Sequence, residues 1–423
     1  MKTQTAVSQE IVRVDLEARQ THWEPTAGLA IPAYGFNGQV PGPTIQAEVG
    51  DTLVVRLANT LPEPTTIHWH GLRVPANMDG TEMVQHPVPP GGSFEYRFVL
   101  PDAGTFWYHP HTHETEQLEK GLYGALIVRG PDEPKLDGER VLVLDDLKLD
   151  RHGNLARFGG WKERHQGRLG DVRLVNGRAE PELEMAAGQV ERWRLVNAAS
   201  SRYVRLSIGR RPFIILSSDG GLLETPVPAT EVLLTPGDRV DLAVGPFAHG
   251  ESIEVASLAY DRGMVKEPGA RYATVRIGPP APSHATIPAT LRSIERLVTD
   301  EVAPNRTVHL QGRPSLHGVD WRIDGHAHHH AEPVRVGDLQ VWEVVNQTKM
   351  DHPFHLHGFF FQVLQVNGAP PAYRSWEDTI NVPANGQVQI AWRPDNRPGS
   401  WMYHCHILEH HAAGMMAHFE VVR

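Results

Sequence analysis

A recurring unit of this sequence is Gly50-Asp51-Thr52-Leu53-Val54-Val55-Arg56-Leu57-Ala58-Asn59, in which a turn glycine and a run of strand-forming residues lead to an asparagine. The same pattern returns at 188–197 and 337–346, with the asparagine at the same offset. A second unit, a turn of proline and glycine followed by a strand, accompanies the three copies at 90–98, 236–244 and 383–392. Short strands separated by such turns are typical of β-sandwiches. Three copies therefore predict an all-β chain of three consecutive sandwich domains.

Proline-rich segments separate the three copies. Pro131-Asp132-Glu133-Pro134 follows the first copy, and Gly278-Pro279-Pro280-Ala281-Pro282 follows the second; such runs favour linkers over strands. A length of 423 residues also suits three domains of about 150 residues each. The predicted domains are residues 1–130, 131–285 and 286–423. The middle domain has none of the motifs described below, and we expect it to act as a spacer.

The most distinctive stretch is His404-Cys405-His406, followed by His410 and Met415. Cys405 is the only cysteine of the chain, which excludes internal disulfide bonds. The flanking residues are strand formers, and successive side chains of a strand point to opposite faces. Cys405 is therefore expected to face one way and its two histidine neighbours the other. One cysteine, a later histidine and a more distant methionine are ligand types of a blue copper site, which leaves His404 and His406 for a second metal site.

Three further histidine clusters supply partners for these two sites. Imidazole suits copper, zinc, iron and nickel, and a His-x-His pair on a strand places both rings on one face. A single pair is more often a polar strand face than a metal site, whereas four clusters, one of them with the sole cysteine, favour metal binding. The clusters contain His68 and His70; His109 and His111; and His352, His355 and His357.

On these motifs the chain resembles the multicopper oxidases of the laccase type, over nearly its whole length. In that family the pattern His-Cys-His-x-x-x-His-x-x-x-x-Met carries ligands of type 1 and type 3 copper, and every position of it is filled here. The resemblance implies three cupredoxin-like Greek-key β-sandwich domains and four copper ions, with the trinuclear cluster between the first and third domains. Type 1 copper would take His352, Cys405, His410 and Met415; type 2 copper would take His68 and His355; the type 3 pair would take His70, His109, His111, His357, His404 and His406.

The resemblance also implies the reaction. A reducing substrate would give one electron at a time to type 1 copper, through an exposed edge of His410 or His352. Cys405 would pass the electron to His404 or His406, and four electrons would reduce dioxygen to two waters at the trinuclear cluster. Met415, a weak axial donor, would tune the potential of the type 1 site.

Dioxygen reduction consumes protons, so acids near the cluster matter. Asp79 matches a carboxylate that lies near type 2 copper in the family, and it is expected to relay protons; the alternative is a simple Asp-Gly turn. Many bacterial relatives carry glutamate directly after the second type 1 histidine, where this chain has His411. An imidazole titrates near neutrality and could replace that relay, or it could be a solvated or supporting residue. Glu409 is present nearby, with its orientation open.

The motifs leave the substrate open. Laccase-like relatives oxidise phenols and aromatic amines, whereas others oxidise cuprous ion and carry a methionine-rich insert beside type 1 copper. The nine methionines of this chain are scattered, which favours phenols and aromatic amines and leaves cuprous ion oxidation as the alternative. The histidine tract at 326–330 is either an exposed polar loop or an auxiliary copper-binding loop. Some relatives have lost their ligands and act structurally in cell division, and the complete ligand set argues against that role here.

Composition excludes several other classes of protein. A net charge of −10 argues against nucleic acid as a partner, and no apolar run is long enough for a membrane span. The first residues lack the apolar stretch of a signal peptide, although the resemblance favours a periplasmic or secreted protein. We expect a monomer.

Overall fold

The computed structural model of the protein describes residues 10–299, 302–315 and 318–423. The first nine residues, on which the expectation about a signal peptide partly rests, lie outside these ranges. The described chain consists mainly of β-strands with a few short helices. The strands form three pairs of sheets in chain order, and this confirms the prediction of an all-β chain with three consecutive sandwiches.

The first sandwich consists of two four-stranded sheets. Its strands are β1 (Ile11–Thr26), β2 (Leu29–Phe36), β3 (Ile45–Glu48), β4 (Thr52–Asn59), β5 (His68–His70), β6 (Ser93–Val99), β7 (Gly104–His109) and β8 (Gly124–Arg129). The strand order is β2-β1-β4-β6 in one sheet and β3-β8-β7-β5 in the other. Apolar side chains of both sheets, among them Leu53 and Leu126, share one buried core.

The second sandwich is larger. Its strands are β9 (Gly138–Leu147), β10 (Val172–Val175), β11 (Arg178–Ala179), β12 (Glu182–Ala187), β13 (Glu191–Asn197), β14 (Val204–Ile208), β15 (Phe213–Ser218), β16 (Gly221–Ala229), β17 (Val232–Leu234), β18 (Arg239–Val244), β19 (Ser252–Leu258), β20 (Tyr260–Asp261), β21 (Lys266–Glu267) and β22 (Ala270–Pro280). A seven-stranded sheet, β11-β10-β9-β13-β18-β15-β16, lies against a five-stranded sheet, β12-β22-β19-β14-β17, and β20 pairs with β21 separately. Trp193 and Val255 represent the two sheets in the shared core.

The third sandwich carries the cysteine motif. Its strands are β23 (Arg306–Ser315), β24 (Gly318–Ile323), β25 (His329–His330), β26 (Val334–Arg335), β27 (Gln340–Asn346), β28 (His352–Leu356), β29 (Phe361–Val366), β30 (Thr379–Val382), β31 (Gln387–Trp392), β32 (Gly399–Cys405) and β33 (Met416–Val422). One sheet has the order β24-β23-β27-β31-β29; the other has the order β25-β33-β32-β28-β30, and β26 also pairs with β33. Trp342 and Phe354 lie in the core between them.

Two connecting segments separate the sandwiches. The first sandwich ends at Arg129 and the second begins at Gly138, while the second ends at Pro280 and the third begins at Arg306. The predicted domain limits at residues 131 and 286 fall within these segments, and they stay predictions.

The described residues form three short α-helices, α1 (Glu114–Glu119), α2 (Trp161–Gln166) and α3 (Leu408–Ala412), and a 3-10 helix at Ala76–Met78. Helix α3 contacts both α1 and α2, so elements from all three sandwiches meet there. None of the helices in the described ranges combines the length and apolar character needed to cross a membrane.

The three sequence repeats form equivalent central strands. β4, β13 and β27 each pair in parallel with the first strand of their sandwich and antiparallel with another strand. The side chain of the buried asparagine that ends each strand donates both to the loop that follows and to a segment farther along the chain. The Asn346 amide donates to the carbonyl oxygens of Met350 at 2.8 Å and Val382 at 3.0 Å. Asn59 and Asn197 make the corresponding bonds. The asparagine of each repeat therefore holds the loop that follows it in position within its sandwich.

Replacing Asn346 with alanine should destabilise the third sandwich. The substitution leaves buried carbonyl groups without a donor, and we expect the free energy of unfolding to fall by about 2–4 kcal/mol, since each orphaned group costs roughly 1–3 kcal/mol. Thermal unfolding of the two variants against the parent measures the effect. Gln347→Ala, at the exposed neighbouring position, is the control and should change stability by less than about 0.5 kcal/mol. Equal losses in the two variants would contradict the role assigned to Asn346.

Candidate metal centres

Eight histidines lie together between the first and third sandwiches. Strand register assembles each half: His68 lies opposite His109 in the β5–β7 pair, and His355 lies opposite His404 in the β28–β32 pair. All eight are buried. The group, called the histidine cluster below, consists of His68, His70, His109, His111, His355, His357, His404 and His406.

The two halves of the histidine cluster face each other through stacked rings. The rings of His70 and His355 stack at 3.8 Å between centroids, and those of His68 and His357 at 4.0 Å. The Nε2 atoms of His357 and His404 are 2.9 Å apart. The structure thus brings together all the histidines that were predicted for type 2 and type 3 copper. Trios whose ring nitrogens lie within 4.8 Å of one another include His68, His355 and His357; His68, His70 and His109; and His111, His357 and His404.

In many of these histidines one ring nitrogen is held by an oxygen atom, and the other is not. His109 and His404 donate from Nδ1 to the carbonyl oxygens of Pro110 at 2.9 Å and Cys405 at 2.8 Å. A buried polar atom without a partner is costly, whereas a neutral imidazole fixed through one nitrogen can ligate a metal with the other. This donor set fits copper. Within the part of the chain that the structure describes, the buried cluster nitrogens without a hydrogen-bond partner are Nε2 of His68, His109, His111 and His355, Nδ1 of His70, and both ring nitrogens of His406.

Burial favours the neutral form of seven imidazoles of the histidine cluster. It lowers the pKa of seven members of the cluster, because an imidazolium is poorly solvated there, and neighbouring imidazoles lower most of these values further. Burial acts in the opposite sense on the Cys405 thiol, whose pKa it raises. Burial therefore favours, in these seven side chains, the deprotonated ring nitrogen that metal binding requires. The seven histidines are His70, His109, His111, His355, His357, His404 and His406.

Asp79 lies beside the cluster, directly after the 3-10 helix. Its carboxylate accepts a hydrogen bond from Nδ1 of His357 at 2.8 Å and lies 3.4 Å from Nδ1 of His68. The turn requires Gly80, whose φ is +83° and where a Cβ atom would lie 1.8 Å from the carbonyl oxygen of Ile67. Asp79 is thus held against one histidine from each of two sandwiches, in a position to orient both rings.

Asp378, which the sequence analysis did not name as a site residue, has the matching position on the other side of the cluster. One carboxylate oxygen lies 3.1 Å from Nε2 of His70 and 3.3 Å from Nδ1 of His355. Arg239, a buried residue of the second sandwich, forms an ion pair with Asp378. Burial raises the pKa of the Asp378 carboxyl, but the Arg239 guanidinium outweighs this effect and holds it well below the usual range. The only sequence signal is an acid directly before the short strand β30.

A second group of potential ligands lies in the apolar core of the third sandwich. The Sγ atom of Cys405 is 3.4 Å from Nδ1 of His352 and 3.8 Å from Nδ1 of His410, and the two nitrogens are 3.3 Å apart. Met415 is buried in the same core, and its backbone is bonded to those of Cys405 and His410. Cys405 therefore points into this core, while its two histidine neighbours belong to the histidine cluster. We call His352, Cys405, His410 and Met415 the cysteine group.

The expectation that a histidine edge of the cysteine group is exposed is wrong. His352 and His410 both have an exposed fraction of 0%. The ring of Trp321, on β24, lies 4.0 Å from that of His410 and 5.2 Å from that of His352. The indole N–H of Trp321 donates to the carbonyl oxygen of Arg164 in helix α2 at 2.8 Å. A helix of the second sandwich and a tryptophan of the third therefore cover the group together.

His411 is buried beside the histidine cluster. Its ring stacks on that of His404 at 4.2 Å, and its Nδ1 is hydrogen-bonded to the Glu114 carboxylate. Glu114 also lies 3.8 Å from Nε2 of His111. Glu409 faces the second sandwich, where it accepts from a backbone N–H, and burial raises its pKa to about 8. His411 and Glu114 thus form a pair in contact with the cluster, and Glu409 points away from it.

The histidine tract at 326–330 is a largely exposed loop. The rings of His326 and His329 stack at 5.7 Å, and Nε2 of His329 is 3.8 Å from the Asp324 carboxylate. The backbone N–H of His328 donates to the carbonyl oxygen of Gly414 at 3.2 Å. The loop therefore packs against the residue that precedes the predicted axial methionine, outside both buried groups.

Two regions of the chain match the multicopper oxidase family, residues 17–133 and residues 295–423. The multicopper oxidase MmcO of Mycobacterium tuberculosis is 31% identical over 93% of this chain and 84% of its own length. The laccase of Bacillus subtilis is 28% identical over 92% of this chain and 90% of its own length. The cell division protein FtsP of Escherichia coli is 30% identical over 89% of this chain and 82% of its own length. Relatives of similar identity thus include oxidases and a protein named for cell division.

Solved structures share the fold. A multicopper oxidase from Campylobacter jejuni, described as a metallo-oxidase, gives a TM-score of 0.88 at 30% identity, over 100% of this chain and 94% of that one. The multicopper oxidase McoA from the hyperthermophile Aquifex aeolicus gives 0.88 at 28% identity, over 98% of both chains. This likeness confirms that the three sandwiches are cupredoxin-like.

Replacing Arg239 with methionine should destabilise the junction of the sandwiches. The substitution leaves the Asp378 carboxylate buried without its cation, and breaking a buried ion pair in this way costs about 3–5 kcal/mol. Thermal unfolding of the metal-free protein measures the effect. As a control, Arg205→Met in the same sandwich removes an ion pair with Glu231 in which the side chains are 40% and 42% exposed, and it should cost at most about 1 kcal/mol. A loss in Arg239→Met no larger than in the control would show that the buried pair does not stabilise the junction.

Proposed function

The chain belongs to the multicopper oxidase family, and from this premise we propose that it couples one-electron oxidation of phenols or aromatic amines to four-electron reduction of dioxygen to water. One observation supports the proposal above all. Cys405 belongs to one group of potential metal ligands, while its chain neighbours His404 and His406 belong to the other. Consecutive residues of one segment therefore join two candidate centres, an arrangement suited to passing electrons from one to the other.

The residues present fit copper. A thiol, two imidazoles and a thioether are the ligands of a blue copper site, and imidazoles also suit the copper ions of the second centre. Copper that cycles between its cuprous and cupric states supplies the one-electron chemistry when bound. We propose four ions: type 1 held by His352, Cys405, His410 and Met415; type 2 by His68 and His355; and the type 3 pair by His70, His109, His111, His357, His404 and His406.

The chain offers two parallel links from Cys405 to the histidine cluster. The first is the main chain itself, which connects Cys405 directly to His404 and His406. The second is the hydrogen bond that Nδ1 of His404 donates to the carbonyl oxygen of Cys405 at 2.8 Å. Both links keep the electron route short, and the route needs no mobile side chain because every residue in it is buried.

Asp79 is our candidate for holding the protons that dioxygen reduction consumes. Its carboxylate is buried and accepts from Nδ1 of His357, so a proton held there lies next to the cluster. The hydrogen-bonded pair of His411 and Glu114 forms a second candidate path, in contact with the rings of His404 and His111. A carboxylate and an imidazole can each take up and release a proton.

Oxidation of cuprous ion is the second candidate function. The exposed histidine loop lies next to the backbone that carries Met415, and the relative from Campylobacter jejuni is described as a metallo-oxidase. Soft thioether ligands favour cuprous ion, however, and the nine methionines of this chain are scattered. Phenols and aromatic amines therefore remain the favoured substrates. A purely structural role, which the name of the cell division relative raises, would give no reason for a complete set of ligand residues.

Replacing Cys405 with serine should abolish the blue absorption of the oxidised, copper-loaded protein, because the absorption depends on a thiolate ligand. Turnover of phenols should be lost as well. Metal analysis should show about one copper fewer per chain, since the histidine cluster keeps its ligands. Absorption spectra, metal analysis and oxygen uptake measure the three effects. A copper-loaded variant that is still blue would refute the assignment of Cys405.

Replacing Asp79 with asparagine should slow dioxygen reduction by about tenfold or more, because an amide can accept the bond from His357 but cannot carry a proton. Reduction of the protein by a phenol without oxygen should stay fast. Stopped-flow measurement of the two half-reactions separates these steps. The control is Asp51→Asn, a buried carboxylate that accepts backbone bonds from Glu10 and Glu48. Equal loss in both half-reactions, or in neither, would reject the proton role.

The specificity constants for a dimethoxyphenol and for cuprous ion should favour the phenol. Changing His326, His328, His329 and His330 together to serine should leave phenol oxidation nearly unchanged, because the loop lies outside both buried groups. Oxygen uptake with each substrate, in the parent and in the loop variant, makes the comparison. A parent that strongly prefers cuprous ion, with the preference lost in the variant, would favour the second candidate function and make the loop a copper-delivery site.

A further inference from the structure

The buried cysteine group is connected to the protein surface by a series of neighbouring aromatic rings. The ring of Trp161 stacks on that of His165 at 5.4 Å between centroids, with an angle of 15° between the planes. His165 lies 6.4 Å from Trp321 at 31°, and Trp321 lies 4.0 Å from His410 at 33°. Trp161, at the outer end, is 65% exposed. One end of the series is therefore in solvent, and the other end is a side chain of the cysteine group.

The inner part of this series is fixed in position. The indole N–H of Trp321 donates to the carbonyl oxygen of Arg164 at 2.8 Å, which ties the ring to helix α2. Helix α2 also contacts α3, and just beyond the end of α2 the backbone N–H of Arg168 donates to the Glu409 carboxylate at 3.0 Å. The helix that carries Trp161 and His165 is thus fastened to the helix that carries His410. These contacts hold the rings of His165, Trp321 and His410 at their observed separations.

The exposed tryptophan is unusual for this surface. Among the large hydrophobic side chains that are exposed in the described ranges, Trp161 is the aromatic one; the others are Ile11, Val99, Met264, Val302 and Val422. An indole face open to solvent is a stacking partner for a flat aromatic molecule, and aromatic pairs are favourable at centroid distances of about 4.5–7 Å. The ring separations within the series lie in or just below that range. A donor stacked on Trp161 would add one more ring to the same series.

We propose that Trp161 is the docking ring for planar, electron-rich aromatic donors, and that the series Trp161, His165 and Trp321 carries their electrons to His410. The proposal rests on the proposed function, and it answers how a donor can react with a group whose histidines have no exposed edge. The rings divide the distance between the surface and His410 into steps of 5.4, 6.4 and 4.0 Å between centroids. No ring of the series needs to be oxidised to a stable radical.

The electron balance is that of a one-electron oxidase. A phenol that docks on Trp161 loses one electron, releases its hydroxyl proton to water and leaves as a phenoxyl radical. The electron passes through the rings of the series to the copper centre that His410 would help to hold. Four such electrons, together with four protons, convert one dioxygen molecule into two waters.

Binding and transfer can be tested separately, because the two outer rings have different tasks. In the copper-free protein, calorimetric titration with a dimethoxyphenol measures docking alone. Trp161→Ala should weaken binding by about 2- to 10-fold, the change expected when one aromatic pair is lost. Trp161→Phe should bind more tightly than Trp161→Ala. His165→Ala should bind the phenol as the parent does, since the docking ring is intact.

Anaerobic stopped-flow bleaching of the blue absorption by the same phenol measures transfer in the copper-loaded protein. His165→Ala should slow bleaching at saturating phenol, and His165→Phe, which restores a ring, should recover much of the rate. Lys162→Ala, an exposed position on the same helix, is the control and should match the parent in both experiments. An unchanged blue spectrum in each variant shows that the cysteine group is intact.

The outcomes separate the two proposals. A parent that takes up no oxygen with ferrocyanide or with the phenol would refute the proposed function itself. A parent that oxidises the phenol, together with a Trp161→Ala variant that binds it equally well, would overturn the docking site. Bleaching of His165→Ala at the parent rate would overturn the electron route. If His165→Ala does not fold, failure of His165→Phe to exceed a non-aromatic His165→Leu variant would overturn it instead.

Discussion

The alternation of side chains along the strand Gly399–Cys405 is the constraint on which the rest of the site depends. Neighbouring side chains of a strand point to opposite faces, so Cys405 enters the apolar core of the third sandwich while His404 reaches the boundary with the first. A helix would separate neighbouring side chains by much less than half a turn and could not divide them between two faces. Two candidate centres are thereby held at a fixed separation and joined by the shortest possible length of chain.

All three sandwiches contribute residues that form or support the histidine cluster. Burying imidazoles with unpartnered nitrogens is unfavourable, and the chain limits the cost by holding other ring nitrogens with Asp79 and Asp378. Asp378 depends on Arg239 from the second sandwich for its charge balance. The second sandwich therefore does more than separate the other two, since it supplies this guanidinium and the helix that covers the cysteine group. A metal that satisfies the remaining nitrogens would stabilise the junction as well, because such binding is coupled to folding.

Burial of the cysteine group has a consequence for specificity. On the proposed function, a donor would not touch His352 or His410, since neither is exposed, so these two side chains would not line a substrate pocket. Electron transfer over a distance requires only that the donor contact, in a suitable orientation, a surface residue from which an electron can reach the cysteine group. An oxidase with this arrangement would discriminate among donors by their redox potential and by how they meet the surface, more than by a set of polar contacts.

The sequence by itself determined the fold class and the potential ligands, because both rest on local patterns. The repeated glycine–strand–asparagine unit predicts three sandwiches, and the period of two along a strand predicts which neighbours of Cys405 share a face. Other features depended on the tertiary structure: the pairing of Asp378 with Arg239, the orientation of Glu409, and the cover of Trp321 and helix α2 over His410. Arg239 and Asp378 are 139 residues apart in the chain, and Trp321 and Arg164 are 157 apart. Such contacts cannot be predicted from the spacing of nearby residues, because only the packing of one sandwich on another brings these side chains together.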